Sequence, residues 1–396
     1  MKILQVIGTL DPAFGGPVEA LQQRTRALFD LGHSSDAVTL DDPTAPWLHD
    51  LPGAVHALGP SRLGYRYNPR LVSWLRARGR EYDAIIACGI WQYQSFAVRR
   101  AALSIGVPYF VFTHGALDPW FKKSYPLKHL KKWLYWPWGE YRVLRDAAGV
   151  LFTCEEEKIL ARESFSLYRA NETVVDYGIN DPLTPPKAKA AAAVVQAYPQ
   201  LAGRRFIVFM SRIHAKKGCD LLIRAFAQLA EAHQSLALVM AGPDQMGLQA
   251  ELDLLARELG VADRVVWTGM LTGAHKWNVL NAAELFALPS HSENFGVVVA
   301  EALACGIPVA ISDKVNIWRE IDSCGAGIVG ADTFEGTLAS LSKWLSSTPV
   351  QQDQMRERAR ECFERNFEIH AAARKLVEAL NGRTNSASRV NIAAIS

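Results

Sequence analysis

Short apolar runs of strand length alternate with longer amphipathic segments along nearly all of this chain. That alternation restricts it to βα units closing parallel sheets. The runs Ile3–Ile7, Ala37–Leu40, Ala84–Cys88, Tyr109–Phe112 and Val150–Phe152 predict strands, with helices over Val18–Phe29, Leu71–Arg78 and Gln94–Leu103 between them and a last short strand at Thr173–Asp176. The pattern breaks between Asp181 and Gly203, where Pro182, Pro185, Pro186 and Pro199 flank the run Ala190–Ala193. Prolines at that density predict an interdomain linker carrying one short helix. A second series then follows, with strands at Phe206–Met210, Leu236–Met240, Val265–Thr268, Leu285–Leu288 and Pro308–Ile311, and helices over Phe334–Trp344, Asp353–Phe363 and Ile369–Leu380. Each half opens with a strand, a glycine-containing loop and a helix. The expected fold class is therefore α/β, two tandem Rossmann-like doubly wound domains with parallel sheets and an interdomain cleft at the carboxyl ends of the strands. The expected boundaries are an amino-terminal domain over 1–180, a linker over 181–203, a carboxy-terminal domain over 204–365, a helix over 366–382 crossing back to the first domain, and a disordered tail over 383–396.

Composition narrows the classes. A net charge of +3 across 396 residues argues against a nucleic-acid partner, so any basic feature has to be local. The six cysteines are scattered with no C-x-x-C, which argues against a disulfide framework or a zinc ribbon and for a reduced, cytoplasmic setting. No segment reads as a signal peptide or as a membrane span. No two aspartates lie two apart and no two histidines four apart, so neither a D-x-D pair nor a zincin-type pair is present and no metal or other cofactor is expected.

The strongest chemical signal is the stretch Ser290-His-Ser-Glu293-Asn-Phe-Gly296-Val-Val-Val-Ala-Glu301. A strand ends just before it and a helix starts near Gly296. Unpaired backbone N–H groups at such a start seat phosphate or sugar oxygens. Glu293 in the loop and Glu301 inside the helix can each accept paired hydrogen bonds from sugar hydroxyls; the plainer alternative is one charge complementing the helix dipole and one solvated glutamate. The second signal is Met210-Ser-Arg212-Ile-His-Ala-Lys216-Lys217-Gly218-Cys-Asp220, in which Arg212 and Lys217 precede a helix and can stabilise charge on a departing diphosphate. Lys216 reads as an ordinary surface lysine. In the first half, Gly15-Gly16-Pro17 joins strand to helix, either to let backbone approach a phosphate or simply to make a tight turn. His114, after the strand Tyr109–Phe112, falls at the cleft edge, though a lone histidine is also a common structural residue.

Taken together these residues resemble retaining glycosyltransferase family 4, the group 1 glycosyltransferases of GT-B fold. Glu293 to Glu301 matches its E-x7-E motif. Ser211, Arg212, Lys217 and Gly218 match its donor-phosphate motif, and Gly15-Gly16 and His114-Gly115 its amino-terminal glycine loop and His-Gly step. The resemblance implies a metal-independent hexosyl transfer with retention, in which Arg212 and Lys217 bind the diphosphate and Glu301 the ribose. Glu293 with the Asn294, Phe295, Gly296 and Val297 segment would contact the sugar, Gly269 would lie in the stretch that frames the base, and His114 would sit beside the donor sugar. The chain departs from the family at Asn180, where many members carry aspartate. The implied substrates are a nucleotide sugar (GDP-mannose or a UDP-hexose) and a glycan or lipid-linked acceptor, in bacterial surface polysaccharide assembly. A soluble-acceptor sugar synthase of the sucrose or glycogen kind, a nucleotide-sugar epimerase of the same architecture and a catalytically silent binding module are the alternatives.

One segment falls outside these motifs. Lys122, Lys123, Lys128, Lys131 and Lys132 lie in eleven residues without an acid, and Trp133 and Trp136 follow. At about 100° per residue, Leu127, Leu130 and Leu134 share one arc and Lys128, Lys131 and Lys132 another. This predicts either a helix docking on an anionic membrane surface, on the cytoplasmic face of the inner membrane, or a solvated helix whose aromatics pack into the domain core.

Overall fold

The computed structural model describes residues 1–14, 16–49, 51–61, 64–120, 122, 126–244 and 246–393, with side chains through Gly382. The chain divides into two compact units, Met1–Asn180 with Glu368–Ser396, and Asp181–Phe367.

Among the described residues the first unit holds seven parallel strands: β1 (Lys2–Ile7), β2 (Ser34–Thr39), β3 (Val55–Ala57), β4 (Ala84–Cys88), β5 (Tyr109–Phe112), β6 (Gly149–Phe152) and β7 (Glu172–Val174), in the order β3-β2-β1-β4-β5-β6-β7. Runs such as Ile3–Ile7 and Ala84–Cys88 are apolar at every position because helices cover both faces of a parallel sheet. Accordingly Leu4 and Val6 join one core and Ile3 and Ile7 the other. The second unit repeats the scheme with β8 (Arg205–Met210), β9 (Leu236–Ala241), β10 (Val265–Gly269), β11 (Leu285–Leu288), β12 (Val309–Ser312) and β13 (Gly327–Gly330), ordered β10-β9-β8-β11-β12-β13. In each sheet the strand order reverses next to the unit's opening strand, between β1 and β4 and between β8 and β11. Such reversal opens a crevice at the carboxyl ends of those strands, where ligands of open α/β sheets bind.

Sequence periodicity leaves two strands undetected, both at sheet edges. β3 is only Val-His-Ala, with all three residues part-buried, and β13 is Gly-Ile-Val-Gly; neither carries an apolar run long enough to register. The proline-rich stretch expected as a linker contains the helix Lys187–Ala197, which packs on the helix Gly273–Ala282 and belongs to the second unit. The carboxy-terminal helix runs Ile369–Ala393, so residues 383–393, expected as part of a disordered tail, have helical backbone. Extending an existing helix avoids the cost of nucleation, and a polar tail can continue one that packing has already started. Within the first unit this helix buries Ile369, Ala373, Leu376 and Leu380 at helical spacing. Gly178 permits the approach, since a Cβ there would lie 2.6 Å from the Ile369 Cα.

Candidate functional site

At the reversal point of the second unit, the loops after β8 and β11 are sewn together through backbone. The His291 N–H donates to the Lys216 carbonyl (2.8 Å), the Ser290 hydroxyl reaches the same carbonyl (3.0 Å), and the Ser312 hydroxyl donates to the Ser290 carbonyl (2.5 Å). Lys216 thus joins the two loops through its backbone carbonyl. Gly218 is left-handed at φ 65°, and a Cβ there would sit 2.1 Å from the Pro289 carbonyl oxygen, so only glycine lets the two loops close. The closure delivers Lys217, buried, to the Glu293 carboxylate as an ion pair. Glu293 is itself pinned through backbone, its N–H donating to the Lys314 carbonyl (2.8 Å) and its carbonyl accepting from the Asn316 N–H (3.0 Å). Arg212 lies on the same loop as Lys217 and is exposed.

Gly296, at φ 73°, caps the helix Val297–Ala304. The opening N–H groups of such a helix lack partners within it, although here the Val299 N–H already donates to the Gly296 carbonyl (2.8 Å). The Phe295 side chain is buried, its ring edge-on to Phe367 at 5.6 Å. Glu301 is not a solvated helix glutamate. It is buried, with one carboxylate oxygen 2.5 Å from Lys276 Nζ on the helix Gly273–Ala282. Lys276 is a partner of Glu301 that sequence reasoning missed, because a lone lysine on a helix after β10 has no motif around it. Gly269 ends β10 at φ 65°, exposed, with its carbonyl accepting from the Gly242 N–H (2.8 Å). This half of the constellation therefore presents two cation–carboxylate pairs and a helix start at one sheet edge, a seat for an anion flanked by hydroxyl acceptors.

In the first unit, Gly15 lies outside the described residues. Gly16 opens the helix Gly16–Asp30, and its carbonyl accepts from the Tyr177 hydroxyl. His114 follows β5 in the left-handed region at φ 48°, an uncommon place for a side chain of its size. The strain is held by Glu157, a buried carboxylate that accepts from the Thr113 hydroxyl (2.6 Å), the Gly115 N–H (2.6 Å), the Thr153 N–H (2.7 Å) and the Thr153 hydroxyl (2.7 Å). The imidazole stacks on Phe112 at 5.3 Å, and the Arg24 guanidinium lies on the same Phe112 ring at 4.5 Å. Burial, with Arg24 adding to it, pulls the His114 pKa down to about 3, so the ring is neutral. Its Nε2 is enclosed with no hydrogen-bond partner. Beside it a cavity of about 180 Å³ opens between the ends of β1, β4 and β5, with Gly8, Thr9, Gln92 and Gln94 on its walls. The wall Gly89–Gln92 is fixed by Glu140, which accepts from the Trp91 N–H (2.9 Å) and the Ser95 hydroxyl (3.0 Å). Burial raises the Glu140 pKa to about 7. Neither Glu157 nor Glu140 stands in a motif; the bonds by which they hold the His114 and Trp91 backbone turns span more than forty positions.

The basic segment forms the helix Pro126–Tyr135, and Lys123 lies outside the described residues. Two of the residues expected at its outer face turn inward. Trp136 is 2% exposed, its indole N–H donating to the Leu167 carbonyl (2.6 Å), and Lys132 lies over the Trp91 ring at 4.5 Å with its pKa lowered by burial. The aromatic groove of Trp91 and Phe165 claims both, because Trp136 stacks on Phe165 at 4.1 Å. What remains outside is more apolar than expected: Leu127, Leu130, Trp133, Leu134 and Trp138 are all more than half exposed, next to exposed Lys122, Lys128 and Lys131. Among the described residues no helix is long and apolar enough to cross a membrane.

Comparison with known proteins bears on both halves. A family model described as glycosyl transferases group 1 matches residues 195–362, and a glycosyl transferase 4-like domain model matches residues 15–178. The D-inositol 3-phosphate glycosyltransferase of Mycolicibacterium smegmatis is 35% identical over 194 residues, covering 45% of this chain and 43% of that protein. The matched region thus spans less than half the length of this relative. Among solved structures, Anabaena Alr3699/HepE in complex with UDP superposes with a TM-score of 0.77 at 20% identity, covering 96% of this chain and all of the other. The sucrose-phosphate synthase of Thermosynechococcus elongatus also gives a TM-score of 0.77 at 20% identity, over 98% of this chain and 100% of the other.

Proposed function

The chain belongs to the group 1 glycosyl transferases and has the GT-B fold, and from that premise we propose that it moves a hexose from a nucleoside-diphosphate sugar to a glycan or lipid-linked saccharide, with retention of anomeric configuration. The observation that carries this reading is the buried Lys217 held against Glu293 at the β8/β11 edge, with Arg212 on the same loop and a helix start beside it. A diphosphate entering there competes with Glu293 for Lys217. As the bond between the anomeric carbon and the phosphate oxygen breaks, charge grows on the leaving group, and Lys217 and Arg212 stabilise that charge more than they stabilise the bound donor. Glu293, once released, is free to accept from sugar hydroxyls together with the Asn294–Gly296 backbone. Glu301 accepts from the ribose, its carboxylate oriented by Lys276. The acceptor hydroxyl attacks on the face the leaving group departs from and gives its proton to the departing phosphate oxygen. The neutral His114 ring offers a hydrogen bond to the sugar without adding charge. No metal is required, because the two cations and the helix start supply the neutralisation a divalent ion would otherwise give.

The donor is GDP-mannose or a UDP-hexose, and the pathway is assembly of a bacterial surface polysaccharide. The exposed Leu127–Trp138 face with its lysines supports that setting, as a dock for the first unit on an anionic membrane surface. A soluble-acceptor synthase is the second reading, favoured by the likeness in fold to sucrose-phosphate synthase.

The test is a donor panel of GDP-mannose, UDP-glucose, UDP-galactose, UDP-GlcNAc and GDP-fucose, scored by thermal shift and then by product analysis. The true donor raises the melting temperature by mass action, and turnover survives EDTA. An epimer of the donor formed without acceptor, or activity abolished by EDTA, overturns the reading.

A further inference from the structure

Two cysteines of the second unit lie side by side. Cys324 is the last residue of the helix Trp318–Cys324, and Cys362 stands one turn before the end of the helix Pro349–Asn366, which packs against it. Both thiols are free and hydrogen-bond each other, and Asn366 Nδ2 reaches both sulfurs, Cys324 at 3.5 Å and Cys362 at 3.6 Å. The Cys362 sulfur also lies 3.8 Å from the Glu320 carbonyl. By contrast, Cys88 meets the Arg24 guanidinium and Cys219 the His214 carbonyl.

The two sulfurs differ in access. Cys362 is 1% exposed, and burial pushes its thiol pKa up, so it does not meet an oxidant first. Cys324 is part-exposed, and the Arg358 guanidinium lies over the neighbouring Gly325, its Nη1 3.3 Å from where a Cβ would stand. A part-exposed thiol beside a cation and an amide donor is the kind that peroxides oxidise, and a second thiol in contact resolves the product. Gly325 ends the helix in the left-handed region at φ 62°, so Cys324 occupies a helix end, which yields more readily than a mid-helix position. Some movement is required, because a disulfide holds its sulfurs at about 2.05 Å, well inside contact distance.

We propose that Cys324 and Cys362 are a redox-sensitive pair, oxidised by a hydroperoxide to a disulfide that ties these two helices together and displaces the Glu293 loop. The peroxide gives one oxygen to the Cys324 sulfur, leaving sulfenic acid and an alcohol or water. The Cys362 sulfur then attacks the Cys324 sulfur, the S–O bond breaks, and the departing hydroxide takes the Cys362 proton and leaves as water. Two electrons thus pass from the thiol pair to the peroxide, and a dithiol returns them. Both helices brace the Glu293 loop. The helix Trp318–Cys324 follows closely on Asn316, whose N–H donates to the Glu293 carbonyl (3.0 Å), and the helix Pro349–Asn366 runs into Phe367, whose ring meets Phe295 at 5.6 Å. Drawing the helices together moves the carboxylate that the transferase reading assigns to the sugar, and turnover falls. The loss of turnover rests on that reading; the disulfide does not.

The experiment treats the full chain with hydrogen peroxide, blocks the remaining thiols with N-ethylmaleimide and maps the peptides. Wild type should yield a peptide linked through Cys324 and Cys362 that dithiothreitol separates, and hydrogen exchange over residues 293–296 should change on oxidation. Donor turnover should fall roughly tenfold or more and recover with dithiothreitol. Cys324→Ser should give no linked peptide and keep its turnover in peroxide. Cys362→Ala should stop at a Cys324 sulfenic acid that dimedone traps, and Cys324→Ser serves alone if that buried variant fails to fold. No linked peptide in wild type, a Cys324→Ser chain inhibited as much as wild type, or a linked chain whose exchange or turnover matches the reduced one overturns the proposal. If the reduced chain turns over no donor, the transferase reading fails, and linkage and exchange decide the switch without it.

Discussion

Lys217 and Glu293 form a pair whose members cannot be removed independently. A buried cation costs little only while its partner is present, and truncating one side strands the other charge. Lys217→Ala is therefore expected to lower kcat by roughly a hundredfold or more, the scale for losing one preorganised charge partner, and to lower the melting temperature as well. Steady-state kinetics with a parallel melt separates the two effects. A second residue-scale prediction concerns Glu140. Its pKa rises from 4.5 to about 7 on folding, so between those values the unfolded chain ionises while the folded one stays protonated. Stability then falls as pH rises through that window, by about 3 kcal/mol in all, and stays at the lower level above it. Glu140→Gln keeps an oxygen for the Trp91 N–H and the Ser95 hydroxyl and removes the buried charge. Denaturant unfolding should show it more stable than wild type near pH 8 and nearly equal to it near pH 5.

Among the elements, the helix Pro126–Tyr135 and the residues after it are the clearest case of periodicity misassigning single residues while locating the helix. Leucines and lysines do separate by arc, but the aromatic groove of Trp91 and Phe165 captures Trp136 and Lys132 and turns Trp133 and Trp138 outward. Two opposite outcomes follow. Trp136→Ala should cost about 3–5 kcal/mol in denaturant unfolding, as for other buried tryptophans. Trp133→Ala should leave stability nearly unchanged and reduce co-flotation with liposomes rich in anionic lipid. Flotation indifferent to anionic lipid content would remove the membrane dock from the proposal. The same element-level dependence fixes His114, whose left-handed backbone is held by a glutamate on the helix Glu155–Ala161.

At the scale of the whole molecule, the chain leaves its first unit at Asn180 and returns to it at Glu368. The returning helix fills the first unit's core with Ile369, Ala373, Leu376 and Leu380, each large apolar side chain contributing about 1.5–3 kcal/mol on burial. A chain ending at Phe367 should therefore lose stability in the first unit selectively. Calorimetry is expected to show one transition moved to lower temperature while the transition of unit Asp181–Phe367 stays near its original place; an unshifted pair would mean the helix contributes nothing to that core.

Much of this architecture was legible in the residues alone. Alternating apolar runs declare parallel βα units because both sheet faces are buried, and the E-x7-E stretch and the Arg212–Gly218 loop stand out as the proposed phosphate-and-sugar site because each motif is local, its spacing set by one loop and one helix. Edge strands β3 and β13 escaped, being too short or too glycine-rich to leave a pattern. The partners Lys276, Glu157 and Glu140 escaped for a different reason. What they do depends on strand order, which brings together positions tens of residues apart, and no local spacing encodes that. The chain's own pattern thus determined the elements and the loops that carry charge. Only the tertiary structure decided which charges pair, which carboxylates are dry and which thiols meet, because burial and partner choice are properties of the packed molecule and not of any segment of it.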